Sequence, residues 1–325
     1  MLQYNAATIL PHEERMNTNK PSLLQMTRAP FLSSIIAPLI TGTLLSVKLR
    51  SSFSIPGFFL VLITGIGLHV ATNVYNDIYD TIQGTDKVNV HRNEFSGGSG
   101  VLQDNPSLMS TMYRLARGGL IIALFSTIGL MFFVDTALWP YLWGLYFVGA
   151  FFSKFYTAAP VKLAYRGLGE ISVWFSFGPM AILVAAVSQN VLFNSHVLLL
   201  MPVSGLSTLS ILIVGQMIDV EADKIGGKHG VASRLGTGPT AALYILAQLG
   251  ITANVICMAL FFHGAALWLL GSLIPYILLF PVAASVIIKH HNNPEELKRA
   301  AKMTVMIHML FSLLLITGFV VYLLR

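Results

Sequence analysis

The chain has 325 residues, of which 55% are hydrophobic and only 10% are charged. A soluble globular domain is about 25% charged, so this composition excludes an ordinary soluble enzyme, a disordered chain and a nucleic-acid-binding domain. The single cysteine, Cys257, excludes an intramolecular disulfide and a CxxC site.

Apolar stretches follow a polar start along the whole chain. Residues 1–30 contain no signal-peptide core, and we expect them to form a cytoplasmic N-terminal lead. A membrane-spanning helix needs about 20 apolar residues. Stretches of about this length recur near 31–49, 57–82, 116–134, 139–158, 168–188, 196–218, 240–262, 266–288 and 303–324. The sequence therefore predicts an all-α polytopic membrane protein, a bundle of about nine transmembrane helices.

The basic residues predict how this bundle is oriented. With the N-terminus in the cytoplasm, all of the 20 Lys and Arg residues except Lys48, Arg50 and Arg325 fall in cytoplasmic segments. Cytoplasmic connections of membrane proteins are enriched in Lys and Arg, so the net charge of +6 reflects topology. We expect a multi-pass protein of the cell inner membrane, with the N-terminus and the active-site loops in the cytoplasm.

Two acidic clusters mark the predicted cytoplasmic ends of the second and sixth helices. In the first cluster, i, i+3, i+4 and i+7 spacing places four residues on one helical face: Asn73, Asn76, Asp77 and Asp80. His69 lies one turn deeper on this face, and Asp86 follows the helix end. In the second cluster, Asp219 and Asp223 also share a face. Both clusters are therefore expected on the same side of the membrane.

Such clusters need a compensating charge. Neighbouring carboxylates repel one another, and an ionisable group near the hydrocarbon costs at least a few kcal/mol. Mg²⁺ prefers hard oxygen ligands and typically binds one or two carboxylates together with substrate phosphates. Two facing acidic clusters therefore predict a site in which Mg²⁺ holds a diphosphate.

Two other interpretations stay open at this point. Acidic residues at helix ends can simply be solvated loop residues. A membrane transporter or ion channel also carries ionisable residues, but it places them near the bilayer midplane, whereas these acids gather at one rim. The glycine-rich run Ser96–Gly100 lacks the form of a P-loop, and we expect a loop there.

The acidic motifs resemble those of a known family. NDxxD followed by GxD, from Asn76 to Asp86, and DxxxD, from Asp219 to Asp223, resemble the two aspartate-rich motifs of the UbiA superfamily of intramembrane prenyltransferases. The stretch YTAAPVKLAYRGLGE, from Tyr156 to Glu170, is similar to the connection between helices four and five in the 1,4-dihydroxy-2-naphthoate polyprenyltransferase branch. The resemblance implies that residues 31–325 form a single UbiA-like transmembrane domain.

The resemblance also implies an activity. It is the Mg²⁺-dependent transfer of a polyprenyl group from an allylic diphosphate to an aromatic acceptor, with membrane lipid around the protein. We expect the acceptor to be 1,4-dihydroxy-2-naphthoate, and 4-hydroxybenzoate or homogentisate are the alternatives.

Site roles follow from the same resemblance. The catalytic residues, the aspartates among them binding metal, would be Asn76, Asp77, Asp80, Asp219 and Asp223. The substrate-binding residues would be His69, Asn73, Asp86, Tyr156, Lys162, Arg166 and Lys228. Aromatic side chains such as Tyr156 would shield the allylic cation that forms when the diphosphate leaves.

Overall fold

The computed structural model describes residues 21–262, 264 and 266–325. Residues 1–20 of the predicted N-terminal lead lie outside the described residues. The rest of the lead contains a short helix, Leu23–Met26, and the start of a 3-10 turn, Ala29–Leu32, that runs into the first long helix. Every regular element in the described residues is a helix, which confirms the predicted all-α fold.

Nine long helical segments occur in the described part of the chain. They are α1 (Ser33–Arg50), α2 (Ile55–Gln83), α3 (Met109–Leu130), α4 (Trp139–Phe155), α5 (Gly169–Val187), α6 (Ser195–Ile218), α7 (Thr237–Phe261), α8 (Leu267–His290) and α9 (Pro294–Leu324). All except α4 belong to the 8 helical spans that are long and apolar enough to cross a membrane. Because α4 has 17 residues, it is near the lower limit for such a span. The predicted multi-pass bundle is confirmed, and its count of about nine is approximate.

Two helix starts differ from the hydropathy pattern. α3 begins at Met109 and α9 begins at Pro294, both earlier than predicted. In α9, Asn293 caps the helix, because its Oδ1 accepts hydrogen bonds from the backbone N–H groups of Glu295 and Glu296 at 3.1 and 3.4 Å. Polar first turns of this kind extend a helix beyond its hydrophobic stretch.

The bundle buries its centre and leaves apolar side chains on its periphery. Leu45, Ile251 and Phe311 belong to a buried core between α1, α6, α7 and α9, whereas Phe125 and Leu260 are 66% and 75% exposed. Exposed apolar side chains on so many helices are stable in lipid and unfavourable in water. This distribution agrees with a membrane protein.

The ends of α2 and α6 lie side by side. The chain leaves α2 at Gly84, whose φ of 83° favours glycine. It leaves α6 into two short helices, Val220–Ile225 and Val231–Leu235. Val220–Ile225 packs against the short helix Thr85–Val88, which follows α2. This contact brings the two acidic clusters together.

Candidate active site

Both acidic clusters line one polar cavity at this end of the bundle. The cavity has a volume of about 1100 Å³, including its open mouth. The predicted site residues that line it are His69, Asn73, Asn76, Asp80, Asp86, Tyr156, Asp219, Asp223 and Lys228. Residues from distant parts of the sequence therefore face one space.

Asp80 is the centre of the first cluster and is buried. Its Oδ2 accepts hydrogen bonds from Lys228 Nζ at 2.9 Å and from Asn76 Nδ2 at 3.1 Å. Its Oδ1 accepts one from the Tyr165 hydroxyl at 2.7 Å. Burial opposes the charge of Lys228, but the Asp80 and Asp223 carboxylates raise the pKa of Lys228 well above its usual value. Lys228 therefore stays cationic and ties the second motif to the first.

Asp77 is buried and is not one of the residues that line the polar cavity. Its Oδ1 accepts a hydrogen bond from the backbone N–H of Ser99 at 3.2 Å and lies 3.9 Å from Arg28 Nη1. Its Oδ2 is buried and has no hydrogen-bond partner among the described residues. A buried carboxylate oxygen without a partner is costly, so Asp77 keeps an unused ligand atom for a cation.

In the second cluster, burial of the carboxylates outweighs the nearby positive charge of Lys228. Asp219 follows the last residue of α6, and its Oδ1 accepts a hydrogen bond from Asn89 Nδ2 at 2.8 Å. Burial raises the pKa of Asp219. Burial, followed by the nearby Asp219 and Asp80 carboxylates, raises the pKa of Asp223 to about 7. In the first motif, burial and Asp80 raise the pKa of Asp86 to about 8.

These residues fit Mg²⁺ bound together with phosphate. Two cations, Arg28 and Lys228, line the polar cavity beside the carboxylates of both motifs. Among the residues that the structure describes, no group of three or more His, Cys, Asp and Glu could hold a metal ion by itself. Mg²⁺ typically takes one or two carboxylates and completes its shell with water and substrate phosphates. The donor set therefore suits a metal that arrives with a diphosphate.

The glycine-rich loop Ser96–Gly100 forms part of the cavity wall. Its three glycines have φ between 75° and 80°, a range that favours glycine. A Cβ on Gly98 would lie 2.6 Å from Asp86 Oδ2. Since Ser99 also donates to Asp77, the loop is held directly against the first acidic motif.

Two predicted diphosphate contacts lie outside the polar cavity. Lys162 Nζ is 5.5 Å from the ring centroid of Tyr165, and Arg166 donates to the carbonyl oxygen of Pro160 at 2.8 Å in an exposed position. Neither residue belongs to the cavity lining. The structure therefore does not bring them together with the aspartates.

The structure adds residues to the site that the sequence did not assign to it, and it gives Tyr165, expected only as an aromatic ring near the allylic cation, a second contact. Arg28, Asn89 and Phe177 line the polar cavity, and Tyr165 holds Asp80. Tyr165 lies in the stretch from Tyr156 to Glu170, whose resemblance to the family was the sequence signal for it. Arg28 and Asn89 carried no signal, because they depend on how loops fold over the helix ends.

A second, apolar cavity of about 810 Å³ lies deeper in the bundle. Five residues line both cavities and form what we call the neck: His69, Thr72, Tyr156, Val173 and Phe177. The His69 ring meets the Phe177 ring edge-on, with centroids 5.1 Å apart. His69 Nδ1 is buried without a hydrogen-bond partner in the described part of the chain. A charged pocket thus adjoins an apolar chamber, and the neck between them contains aromatic rings and an unused imidazole nitrogen.

Known proteins resemble this chain over most of its length. The UbiA prenyltransferase family matches residues 35–314. The 2-carboxy-1,4-naphthoquinone phytyltransferase of Synechocystis sp. is 27% identical over 316 residues, covering 92% of this chain and 95% of that protein. The 1,4-dihydroxy-2-naphthoate octaprenyltransferase of Bacillus subtilis is 26% identical over 244 residues, or 75% of each chain. That of Mycobacterium tuberculosis is 28% identical over 233 residues, covering 70% of this chain and 75% of that protein.

Solved structures share the fold. The apo structure of a UbiA homologue from Aeropyrum pernix K1 matches with a TM-score of 0.60 at 18% identity, covering 91% of this chain and 98% of that one. A UbiA homologue from Archaeoglobus fulgidus bound to GPP and Mg²⁺ matches with a TM-score of 0.52 at 12% identity, covering 90% and 99%. At these identities the likeness concerns the fold alone, and it confirms the helical bundle.

Proposed function

Because the chain belongs to the UbiA prenyltransferase family, we propose that it transfers a polyprenyl group from an allylic diphosphate to 1,4-dihydroxy-2-naphthoate, a step of menaquinone biosynthesis. The observation that carries this proposal is the polar cavity that both acidic motifs line, which shares the neck residues with an adjoining apolar cavity. The relatives support the acceptor, because each of the three is named for a bicyclic naphthalene-type acceptor with a carboxyl group.

The two cavities match the two halves of the donor. A polyprenyl diphosphate has an anionic head, which suits the polar cavity, and a long apolar tail, which suits the deeper one. Lys228 and Arg28 would contact the diphosphate oxygens. The residues that would hold Mg²⁺ are Asn76, Asp77, Asp80, Asp219 and Asp223. Mg²⁺, when bound, offsets the negative charge that develops on the leaving diphosphate.

The neck is where the acceptor ring would meet the allylic carbon. Departure of the diphosphate leaves an allylic cation, and electron-rich ring faces such as those of Tyr156 and Phe177 attract cations while they keep water away. His69 Nδ1 would accept a hydrogen bond from an acceptor hydroxyl and so orient the ring. Asn73 donates to the carbonyl oxygen of Thr27 at 3.2 Å, which holds the N-terminal segment over the cavity.

We place the mouth of the polar cavity at the cytoplasmic face of the inner membrane. The support is the distribution of Lys and Arg residues. In this orientation a diphosphate head group at the cytoplasmic surface reaches the site without crossing the bilayer, and its tail stays in contact with lipid.

A product assay tests this function. The purified protein is incubated with a polyprenyl diphosphate, Mg²⁺ and one acceptor at a time, and the lipid products are identified by mass. We expect the prenylated product from 1,4-dihydroxy-2-naphthoate, lost with EDTA and restored by added Mg²⁺. Product from 4-hydroxybenzoate or homogentisate but not from dihydroxynaphthoate would overturn the acceptor, and no transfer to any acceptor would overturn the function.

A further inference from the structure

Residues 156–170, which connect α4 to the first turn of α5, reach both acidic motifs. At the first motif, Tyr165 donates its hydroxyl hydrogen to Asp80. At the other end, Glu170 is the second residue of α5 and lines neither cavity. Glu170 is nevertheless engaged by two groups that flank the second motif.

The Glu170 carboxylate joins two separate backbone segments. Its Oε1 accepts hydrogen bonds from Gln216 Nε2 at 2.8 Å and from the backbone N–H of Val231 at 2.6 Å. The N–H of Val231 also donates to Gln216 Oε1 at 3.1 Å, so the three groups close a ring. Gln216 is in the last turn of α6, and Val231 is the first residue of the short helix Val231–Leu235. Glu170 therefore satisfies a helix N-terminus that has no side-chain cap of its own.

The hydrogen-bonded ring holds together the two ends of the segment that carries the second motif. This segment, residues 217–230 between Gln216 and Val231, includes Asp219, Asp223 and Lys228. The ring also leaves no space at Gly230, where a Cβ would lie 2.6 Å from Gln216 Nε2. A glycine at position 230 therefore leaves room for Gln216 in the position where it contacts Glu170.

We propose that Glu170 is a positioning residue that clasps Gln216 and Val231 and thereby holds Asp219, Asp223 and Lys228 at the diphosphate. This inference rests on the proposed function, because the diphosphate donor is the ligand of the clasped segment. The neck residues, where the acceptor would lie, belong to α2, to α5 and to Tyr156 after α4, and none of them lies in the clasped segment 217–230. Loss of the clasp should therefore weaken donor and Mg²⁺ binding and leave acceptor binding unchanged.

Steady-state kinetics of two variants test the clasp. Groups that orient metal ligands are typically worth 10–100-fold in affinity or activity, so Glu170→Ala should raise the KM for the prenyl diphosphate and the Mg²⁺ requirement about tenfold or more. Glu170→Gln should restore most of this loss, because an amide oxygen can accept the same two hydrogen bonds. Glu221→Gln is the control, since Glu221 is exposed and pairs only with Lys224 in the described residues. It should behave as wild type.

Three results would each overturn the proposal. The first is an unchanged donor KM in Glu170→Ala. The second is an equal rise of the donor and acceptor KM values in that variant, and the third is an equal loss in the Ala and Gln variants. If Glu170→Ala fails to fold, Gly230→Ala provides the same test, because its Cβ displaces Gln216 from the other side. It should show the same donor-specific defect, and wild-type kinetics in Gly230→Ala would then overturn the clasp.

Hydrogen exchange separates this inference from the proposed function. In Glu170→Ala, the amides of residues 217–231 should exchange faster, while those of α2 keep their protection. This readout needs no turnover. A wild-type protein that transfers no prenyl group would remove the proposed function, whereas unchanged exchange at 217–231 in Glu170→Ala would remove the clasp.

Discussion

Asp80 connects parts of the chain that are far apart in sequence. Its carboxylate accepts hydrogen bonds from Lys228, Asn76 and Tyr165. A buried ion pair is weak evidence for stability, because the cost of removing both charges from water offsets their attraction. We therefore interpret the Asp80–Lys228 pair as a means of holding a cation in the cavity, where it can meet phosphate.

The second motif should be essential for turnover. Asp219→Asn keeps the shape of the side chain and removes one negative charge from the proposed metal site. We expect a loss of about 100-fold or more in kcat/KM, the scale seen when one charge-stabilising group is removed. Asp135→Asn, an exposed substitution at the opposite end of the bundle, is the matched control and should keep wild-type turnover. Wild-type kcat/KM in Asp219→Asn would contradict the metal role.

Mg²⁺ binding should depend on pH. Without metal, Asp223 and Asp86 keep protons below about pH 7 and 8, because burial raises their pKa values. Mg²⁺ needs Asp223 ionised as a ligand, and its positive charge favours the ionised form of the neighbouring Asp86. Its apparent affinity should therefore rise with pH through this window, by up to about tenfold per pH unit for each proton displaced. The measurement is the Mg²⁺ concentration for half-maximal rate between about pH 6 and 8.5.

Asp86→Asn is the comparison for this pH dependence. The substrate diphosphate ionises equally with both proteins, so any difference in slope belongs to Asp86. We expect a shallower slope in the variant, since it has one fewer proton to displace. Identical slopes would show that Asp86 does not compete with the metal.

Most polar residues of the cavity could be predicted from the sequence. Helical spacing fixes which residues share a face, so Asn73, Asn76 and Asp80 were predictable. The same spacing does not say how deep a residue lies, which is why Asp77 was not distinguished from Asp80. Charge alone does not give the direction of a side chain, and Arg166 therefore turned out to bond its own loop.

Among the elements, the glycine-rich loop Ser96–Gly100 is the one whose position against the first acidic motif depends most directly on glycine backbone conformation. Gly98→Ala places a Cβ against Asp86 and forces a side chain into left-handed φ, which costs about 1–2 kcal/mol. The free variant relieves this strain by moving the loop away from Asp86, and donor binding must reverse that movement. We therefore expect the donor KM to rise about tenfold, since 1.4 kcal/mol is a factor of ten. Titration with the donor at saturating acceptor measures this change.

A helical glycine is the control for this substitution. A Cβ on Gly118 in α3 would meet nothing within 4 Å, so Gly118→Ala should leave the donor KM unchanged. A similar donor KM in Gly98→Ala, Gly118→Ala and wild type would show that the loop does not shape the donor site.

The long helices could be predicted from hydropathy, and the short ones could not. Twenty apolar residues specify a spanning helix almost by themselves. The short helix Val220–Ile225 has no such signal, and its place is set by packing against Thr85–Val88. The clasp could not be predicted from the sequence either, because Glu170 is 46 positions from Gln216 and 61 positions from Val231.

The whole molecule separates a charged pocket from an apolar chamber. Because α2 and α6 are both even-numbered spans, the sequence predicted that they end on the same side of the membrane. The structure adds that both ends line one cavity. A transporter would place its ionisable groups near the bilayer midplane. Family membership and the position of the acids at one rim decide against that alternative.

The claim that both acidic motifs share one metal-bound diphosphate is tested most directly by a crystal structure. The protein is crystallised with a non-hydrolysable polyprenyl thiolodiphosphate and with Mn²⁺ in place of Mg²⁺. Anomalous scattering locates Mn²⁺ independently of the phosphates. We predict that the metal lies between the aspartates of α2 and those after α6, with the diphosphate beside Lys228 and the tail in the apolar cavity. A diphosphate bound to one motif only, or outside this cavity, would contradict the account.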